Sequence, residues 1–441
     1  MMHGRVSTAM AVAVTLYSVA FAASETDAGT TAWMLISTAL VLLMTPALAF
    51  FYGGLVRQKN VLNTMMMSFG ALGFVTLAWA LLGYSLAYGS GNSFIGDLSL
   101  ALLRNIDLEG AMPQLLDVAF QGTFAVIAAA LISGSLVGRM RFAPWVLFIV
   151  LWSLFDYAVL AHWVWGPAGS AFLKDLGALD FAGGTVVHIN AAIAGVVGVL
   201  VLGPRKDFGR LAFLPHNIPF VLLGAGLLWF GWFGFNGGSA YAADGAAALA
   251  FVNTFLAPAA TMAVWLLLEM SRDGRATAVG AATAAVVGLV AITPAAGFVG
   301  PLGAIWLGAL AAFPSYYFIL YRPKLGLDDS LDVFGAHGLG GIVGALLTGV
   351  FASKAWGGVP GLLEGNVGQF WVQLLAVLVA IVFSAAASLL IFKLVGVLLP
   401  LRASDLEEAG GIDALCHGEE AYPVAEGAIL VLDGERAGGA A

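Results

Sequence analysis

Hydrophobic positions fall into eleven long runs separated by short polar connections, at about 31–52, 62–88, 118–137, 144–165, 181–202, 218–235, 251–270, 276–298, 302–321, 333–351 and 370–399. Most of these runs approach the ~20 residues that a helix needs to cross the hydrocarbon core of a bilayer. Each predicts a transmembrane helix, and the last is long enough to tilt or to project beyond the bilayer. The expected fold class is an all-α polytopic membrane protein with eleven transmembrane helices.

The two ends of the chain differ from this pattern. Arg5 precedes an apolar run from Ala9 to Ala22, which closes on Ala20-Phe21-Ala22. Residues 1–23 therefore have the layout of a signal peptide with a small-residue cleavage site. The other reading is an uncleaved extra helix, but the run is shorter than the ~20 residues of a span. Residues 24–400 would form the transmembrane domain. From Arg402 the chain turns charged and Gly-rich and ends in AGGAA. Residues 401–441 read as a cytoplasmic tail that docks on the inner loops or meets a partner.

Composition agrees with a membrane protein. The chain is 61% hydrophobic and 10% charged, with a mean hydropathy of +0.95; soluble domains carry about 25% charged residues. Its 57 glycines suit helices packed backbone to backbone. Cys416 is the single cysteine, which excludes an intramolecular disulfide and a cysteine-based metal cluster. A net charge of −8 with no basic run argues against nucleic-acid binding.

Basic residues set the orientation. If the first span enters from outside, thirteen Lys and Arg residues fall on inner loops or inner helix ends, among them Arg57, Arg139, Arg205, Arg272, Arg322 and Arg402. Three fall outside: Arg104, Lys174 and Lys354. The mature amino terminus is then outside and the carboxyl terminus cytoplasmic, in a plasma (inner) membrane. The outer loops also carry Asp97, Asp107, Glu109, Asp117, Asp175, Asp244 and Glu364, which modestly enriches cations at the entrance.

Two stretches need a functional explanation. DFAGGTVVHINAAIAG at 180–195 places His188 inside the fifth helix, and DVFGAHGLGGIVG at 332–344 places His337 inside the tenth. Gly195 and Gly344 each follow their histidine by seven residues, and helices one and six end in similar words, FYGG and FNGG. Five helices per half would invert the second half (218–351) relative to the first (31–202), with the eleventh helix added. The two histidines would then meet near the midplane, where transporter sites lie at repeat interfaces.

An ionisable residue inside a membrane helix is a functional candidate by default. The plain alternative is a core histidine bonded to a backbone carbonyl. A metal site needs three or four protein ligands, and neither segment supplies them, so no metal or other cofactor is expected. Two neutral imidazoles offer one donor and one acceptor nitrogen each. Such a pair can share a proton and line a path for a small polar molecule, or pass a proton along. Asp180 reads as the N-cap of the fifth helix. Aromatic residues cluster at outer helix ends: Phe120 and Phe124, Trp163 and Trp165, Trp232 and Phe235. They are either interfacial belt residues or, with Ser239, a cation–π cage for an ammonium-like ion. Asp156 and His162 in the fourth helix read as structural polar groups.

These words resemble the Amt/Mep/Rh ammonium transporters, and within them the bacterial Amt branch. The resemblance is carried by FFYGGLVRQKNVLN (50–63), FQGTFA (120–125), AHWVWG (161–166), DFAGGTVVHINAA (180–192), GWFGFNGGSA (231–240), ALAFVNT (248–254), ITPAAGFVGP (292–301) and DVFGAHGLGGIVG (332–344). It implies an ammonium transporter fold and a non-enzymatic function. It implies that His188 and His337 are the twin-histidine pair of a hydrophobic pore and that Phe124, Trp165 and Ser239 form the outer ammonium site. Phe124 with Phe235 would be a stacked phenyl gate, with Asp180, Phe120, Trp232 and Thr293 in support. It further implies a homotrimer with one pore per protomer. GIDALCHGEEAY (411–422) resembles the family's cytoplasmic tail, which works with PII-type signalling proteins, although Ala414 and Cys416 depart from the usual wording. Three other functions remain on these residues: a Rh-like gas channel for ammonia or carbon dioxide, an ammonium sensor acting through a separate protein, and a membrane enzyme using the two histidines as acid and base. The last lacks an accompanying nucleophile.

Overall fold

The computed structural model describes residues 26–422. The signal-peptide reading at 1–23 and the end of the tail, 423–441, lie outside the described residues. Eleven membrane-type helices follow in order: α1 Ala28–Leu55, α2 Gln58–Tyr88, α3 Gln114–Leu136, α4 Phe142–Trp165, α5 Gly184–Leu202, α6 Ile218–Gly238, α7 Gly245–Asp273, α8 Ala278–Ile292, α9 Pro301–Leu325, α10 Phe334–Phe351 and α11 Val367–Leu398. Ten are long and apolar enough to span a bilayer. Two short helices, α12 Asp405–Gly410 and α13 Ile412–His417, form the described part of the tail.

The sequence places nearly every helix, with two instructive differences. The eighth helix stops at Ile292 rather than running to 298, because Thr293 and Pro294 open a series of turns that leads to Val299. The fifth begins at Gly184 rather than 181, because residues 181–183 form a bend in which Gly183 takes a φ of 110°. That left-handed conformation favours glycine.

Close backbone approach explains the glycines. α6 lies along α1, and Gly224, Gly231, Gly234 and Gly238 form the contacting stripe. A Cβ on Gly224 would fall 2.4 Å from the Phe51 backbone nitrogen, and one on Gly234 2.8 Å from the Ser37 carbonyl oxygen. Without Cβ atoms the helices gain dispersion contacts along their length, which is the available driving force where lipid is as apolar as leucine. The outer faces carry lipid-facing side chains such as Leu200, Val382, Leu390 and Val397, all exposed.

Four helices widen locally into π-turns, at Trp79–Gly83, Ser153–Tyr157, Gly184–Ile189 and Phe334–Gly338. The last two contain His188 and His337. π-turns recur at functional sites, because one extra residue per turn re-aims a side chain and loosens the i→i−4 ladder.

The tail docks on loops and helix ends of its own chain. The Asp413 carboxylate accepts the backbone N–H groups of Leu62 (3.0 Å) and Asn63 (2.8 Å) in the first α-helical turn of α2. Arg141 donates to both oxygens of Glu407, at 2.7 and 2.6 Å. Arg402 pairs with the buried Glu408 at 2.7 Å, and Lys59 donates to the Ala409 carbonyl. Of the two expectations for the tail, docking on the inner loops is what these residues do.

Candidate transport pathway

The site is built on the start of α5. The first N–H groups of a helix have no partner within it. Here Asp180 supplies one for all four: Oδ1 accepts from Gly183 (2.8 Å) and Gly184 (2.7 Å), and Oδ2 from Thr185 (2.8 Å) and Val186 (3.1 Å). Its side chain is thereby fully engaged, and the residue is 7% exposed. It does not line the outer cavity, so its influence on that cavity is indirect.

With α5 anchored, His188 reaches His337. The two Nδ1 atoms lie 3.2 Å apart and the ring centroids 5.3 Å apart, with 23° between the planes. Both are sealed, His188 at 1% and His337 at 2% exposure. A bond between two ring nitrogens needs a lone pair on one of them, so two imidazolium rings cannot form it. One ring donates and the other accepts, which leaves the pair asymmetric along its axis. Gly341 makes the approach possible: a Cβ there would lie 2.9 Å from the Gly184 carbonyl and 3.4 Å from the His188 Cβ.

Aromatic rings cover the pair on the outer side. Trp232 stacks on His188 with centroids 5.4 Å apart, and its indole N–H donates to Thr293 Oγ1 at 2.8 Å. Thr293 donates in turn to the Leu289 carbonyl at 2.7 Å. Phe235 lies 6.0 Å from His188 and stacks on Phe124 at 4.1 Å with 15° between planes. Phe120 supports Phe124 from the side, at 4.9 Å.

Above the stacked phenyl pair is an outer cavity of about 290 Å³, lined by Phe124, Trp165 and Ser239 and also by Tyr88, Asp117, Gln121, Lys174 and Tyr241. Trp165 stands edge-on to Phe124 at 6.1 Å, and its indole N–H donates to the Asp180 carbonyl at 2.8 Å. Below the histidines, an inner cavity of about 660 Å³ reaches His337 and is lined by Tyr52, Arg205, Arg322, Ser330 and Asp332 among others. From one cavity to the other the order is Phe124 with Trp165 and Ser239, then Phe235, His188 with Trp232, His337, and the cavity that reaches His337.

The structure thus brings together nine of the ten site residues read from the sequence, with Asp180 bracing them from behind. It redistributes the aromatic cluster. Trp163 points away, donating to the Phe94 carbonyl at 2.8 Å and packing on Phe383 at 4.5 Å, and Trp232 sits at histidine depth rather than in the outer cage. Asp156 and His162 lie outside the pathway. Asp156 accepts from Ser388 at 3.0 Å, and the His162 ring nitrogens meet the carbonyls of Ala87 (2.8 Å) and Asn92 (2.7 Å).

The sequence of the Ammonium Transporter Family matches this chain over residues 32–422. The chain belongs to that family. An ammonium transporter of Aquifex aeolicus is 51% identical over 407 residues, covering 90% of this chain and 94% of that protein. One from Bacillus subtilis is 46% identical over 402 residues, 89% and 98% of the two chains. Among solved structures, Saccharomyces cerevisiae Mep2 superimposes with a TM-score of 0.80 at 33% identity, over 86% and 88% of the two chains. A sensor Amt protein gives a TM-score of 0.82 at 27% identity, over 88% and 98%. This ammonium transporter family member is therefore a multi-pass membrane protein in which the phenyl stack and the histidine pair lie between two cavities.

Sequence reasoning missed the inner mouth. Arg139 and Asp328 are both fully buried and pair at 2.6 Å, and Arg205 pairs with the other Asp328 oxygen at 2.6 Å. Arg322 pairs with Asp332 at 2.6 Å. In the sequence these arginines served only to orient the chain; DDSLD at 328–332, three aspartates within five positions of a connection between helices, was the available signal.

Proposed function

We propose that the chain moves ammonium nitrogen across the plasma membrane by stripping its proton. Ammonium collects in the outer cavity, where the faces of Phe124 and Trp165 and the hydroxyl of Ser239 replace part of its hydration. It gives up its proton there, and neutral ammonia passes the Phe124–Phe235 stack and runs along His188 and His337 to the inner cavity. The observation that carries this reading is the buried, hydrogen-bonded histidine pair, covered by aromatic rings on one side and meeting a cavity at His337 on the other. A charged group at the centre of a membrane helix costs at least about 2.5–3.5 kcal/mol even on permissive scales, so sodium and potassium, which cannot shed charge, are held out. The hydrogen bond between the rings supports a relay that carries the proton released in the outer cavity to the inner side, where it rejoins ammonia as ammonium, so that one positive charge crosses per molecule.

Uptake of ammonium and of potassium by vesicles carrying His188→Ala or His337→Ala tests the reading. Loss of ammonium uptake, or its replacement by a potassium leak, is the expected result; unchanged uptake with unchanged selectivity in both variants would reject it. An ammonium-dependent current across a bilayer containing the purified protein is expected from the relay, and its absence would favour the Rh-like gas channel. A homotrimer and the outside–inside orientation complete the proposal, supported by the family resemblance and the basic inner loops. A regulatory role for the tail, through a PII-type partner or by sensing, is supported by its docking at Asp413 and Glu407 and by the likeness to a sensor Amt protein.

A further inference from the structure

One wall of the outer cavity is left unused by the pathway just described. Asp117, Gln121 and Phe124 line it from a single face of α3, since residues four and three apart are neighbours on a helix. At 1.5 Å per residue, Asp117 stands about 10 Å outside Phe124 along the helix axis. Its carboxylate accepts the hydroxyls of Tyr84 at 2.7 Å and Tyr241 at 2.9 Å, and the Gln121 amide donates to the Tyr241 hydroxyl. Donors thus converge on the carboxylate, yet no ion pair neutralises it among the described residues. Lys174, in the same cavity, donates instead to the Gly166 carbonyl at 2.8 Å.

The cluster also has unused polar atoms. Gln121 is 5% exposed, and its Oε1 has no donor. The buried Tyr88 hydroxyl is likewise without a partner. Buried polar groups are nearly always hydrogen-bonded, so two orphans beside an unneutralised carboxylate, all lining one cavity, mark a place for a small cationic donor.

We propose that Asp117, Gln121 and Tyr88 form a second ammonium station, outside the aromatic one and specific for N–H donors. This rests on the transport reading above. An ammonium ion presents four N–H groups. The Asp117 carboxylate retains lone pairs after its two tyrosine bonds, and Gln121 Oε1 and Tyr88 Oη supply two neutral acceptors. The outer station recognises charge and hydrogen bonds, whereas the inner one recognises charge through ring faces. A primary alkylammonium keeps three N–H donors and fits the same station. Its effect is to concentrate the cation two helical turns from the phenyl stack, in a cleft that focuses the field of one carboxylate.

The test is radiolabelled methylammonium uptake by proteoliposomes of the purified full-length protein. In Asp117→Asn the half-saturating concentration should rise about tenfold, the loss expected for a hydrogen bond to a charged acceptor, with the maximal rate within about twofold. Asp117→Glu should recover most of the affinity, which a merely structural role for the carboxylate would not produce. Tyr88→Phe removes only the unpaired hydroxyl and should raise half-saturation modestly at an unchanged maximal rate. An unaltered half-saturating concentration in Asp117→Asn overturns the station. If that variant does not fold, an unaltered value in Tyr88→Phe overturns it. No uptake by the parent protein would instead sink the transport reading, and the station with it.

Discussion

The carbonyl oxygen of Asp180 holds the indole N–H of Trp165 at 2.8 Å, while the carboxylate of the same residue closes the start of α5. One residue thereby ties the outer cavity to the helix that carries His188. The carboxylate acts on the helix and the carbonyl on the indole, so side-chain changes reach Trp165 only through the backbone.

This relationship predicts the behaviour of Asp180→Asn. The amide keeps one acceptor oxygen, so two of the four α5 N–H groups lose their partner. Each buried unsatisfied donor costs about 1–3 kcal/mol. Thermal unfolding in detergent should show a loss of about 2–6 kcal/mol, and vesicle uptake should fall sharply because His188 shifts with the helix start. Full activity with an unchanged melting temperature would contradict the bracing role.

The inner mouth predicts a pH effect. Burial pushes the Asp328 carboxyl up, but the hydrogen bonds and charges of Arg205 and Arg139 outweigh it and hold the group below its ordinary 3.8. A carboxylate depressed in the folded state contributes stability that is full above its unfolded value and is lost as the pH falls through the folded one. The parent protein should therefore lose stability on acidification below about pH 4, and Asp328→Asn should lack that part of the slope. At neutral pH the substitution leaves Arg139 buried without its partner, at a cost of about 3–5 kcal/mol. A neutral-pH melting temperature equal to that of the parent would refute the assignment.

Packing of α1 on α6 predicts that Gly224→Val destabilises the protein. The new Cβ would meet the Phe51 backbone at 2.4 Å, and overpacking of this kind typically costs about 1–3 kcal/mol. Gly226, where a Cβ meets nothing within 4 Å, is the matched control and should tolerate alanine. Equal melting temperatures for the two variants would count against the contact.

The docked tail predicts a change in local opening. Burial raises the Asp413 carboxyl, and the N–H groups of Asn63 and Leu62 counter that effect. Asp413→Ala opens two N–H groups at the start of a helix, a loss of about 1 kcal/mol. Hydrogen exchange over residues 404–418 and at the Leu62 and Asn63 amides should then quicken by about fivefold, with the transport-domain helices beyond the first turn of α2 unchanged. Identical exchange in the two proteins would show that Asp413 does not hold the tail.

Much of this molecule was legible in the sequence because its determinants are local. A run of about 20 apolar residues must bury its backbone polar groups in a helix wherever lipid replaces water, so the helices around Met34, Ile149 or Val377 followed from hydropathy alone. Asp180 was recognisable as the group that closes the start of α5 because its partners lie within six residues of it, although the N-cap position itself falls to Gly183, since the bend at 181–183 delays the helix. The end of α8 was not legible, because apolarity continues through Ala295 and Ala296 while Thr293 and Pro294 break the helix.

What the tertiary structure decided are relations across long separations. His188 and His337 meet over 149 residues and Trp232 finds Thr293 over 61, and each contact depends on how glycine-lined helices slide into register. Trp163 and Trp165 are indistinguishable by composition and two residues apart, yet helical geometry sends one to Phe383 and the other to Phe124. The basic loop residues set an expected orientation by charge alone; that Arg139 and Arg205 share one buried carboxylate on Asp328 required the fold, because only packing removes those charges from water and forces them to pair.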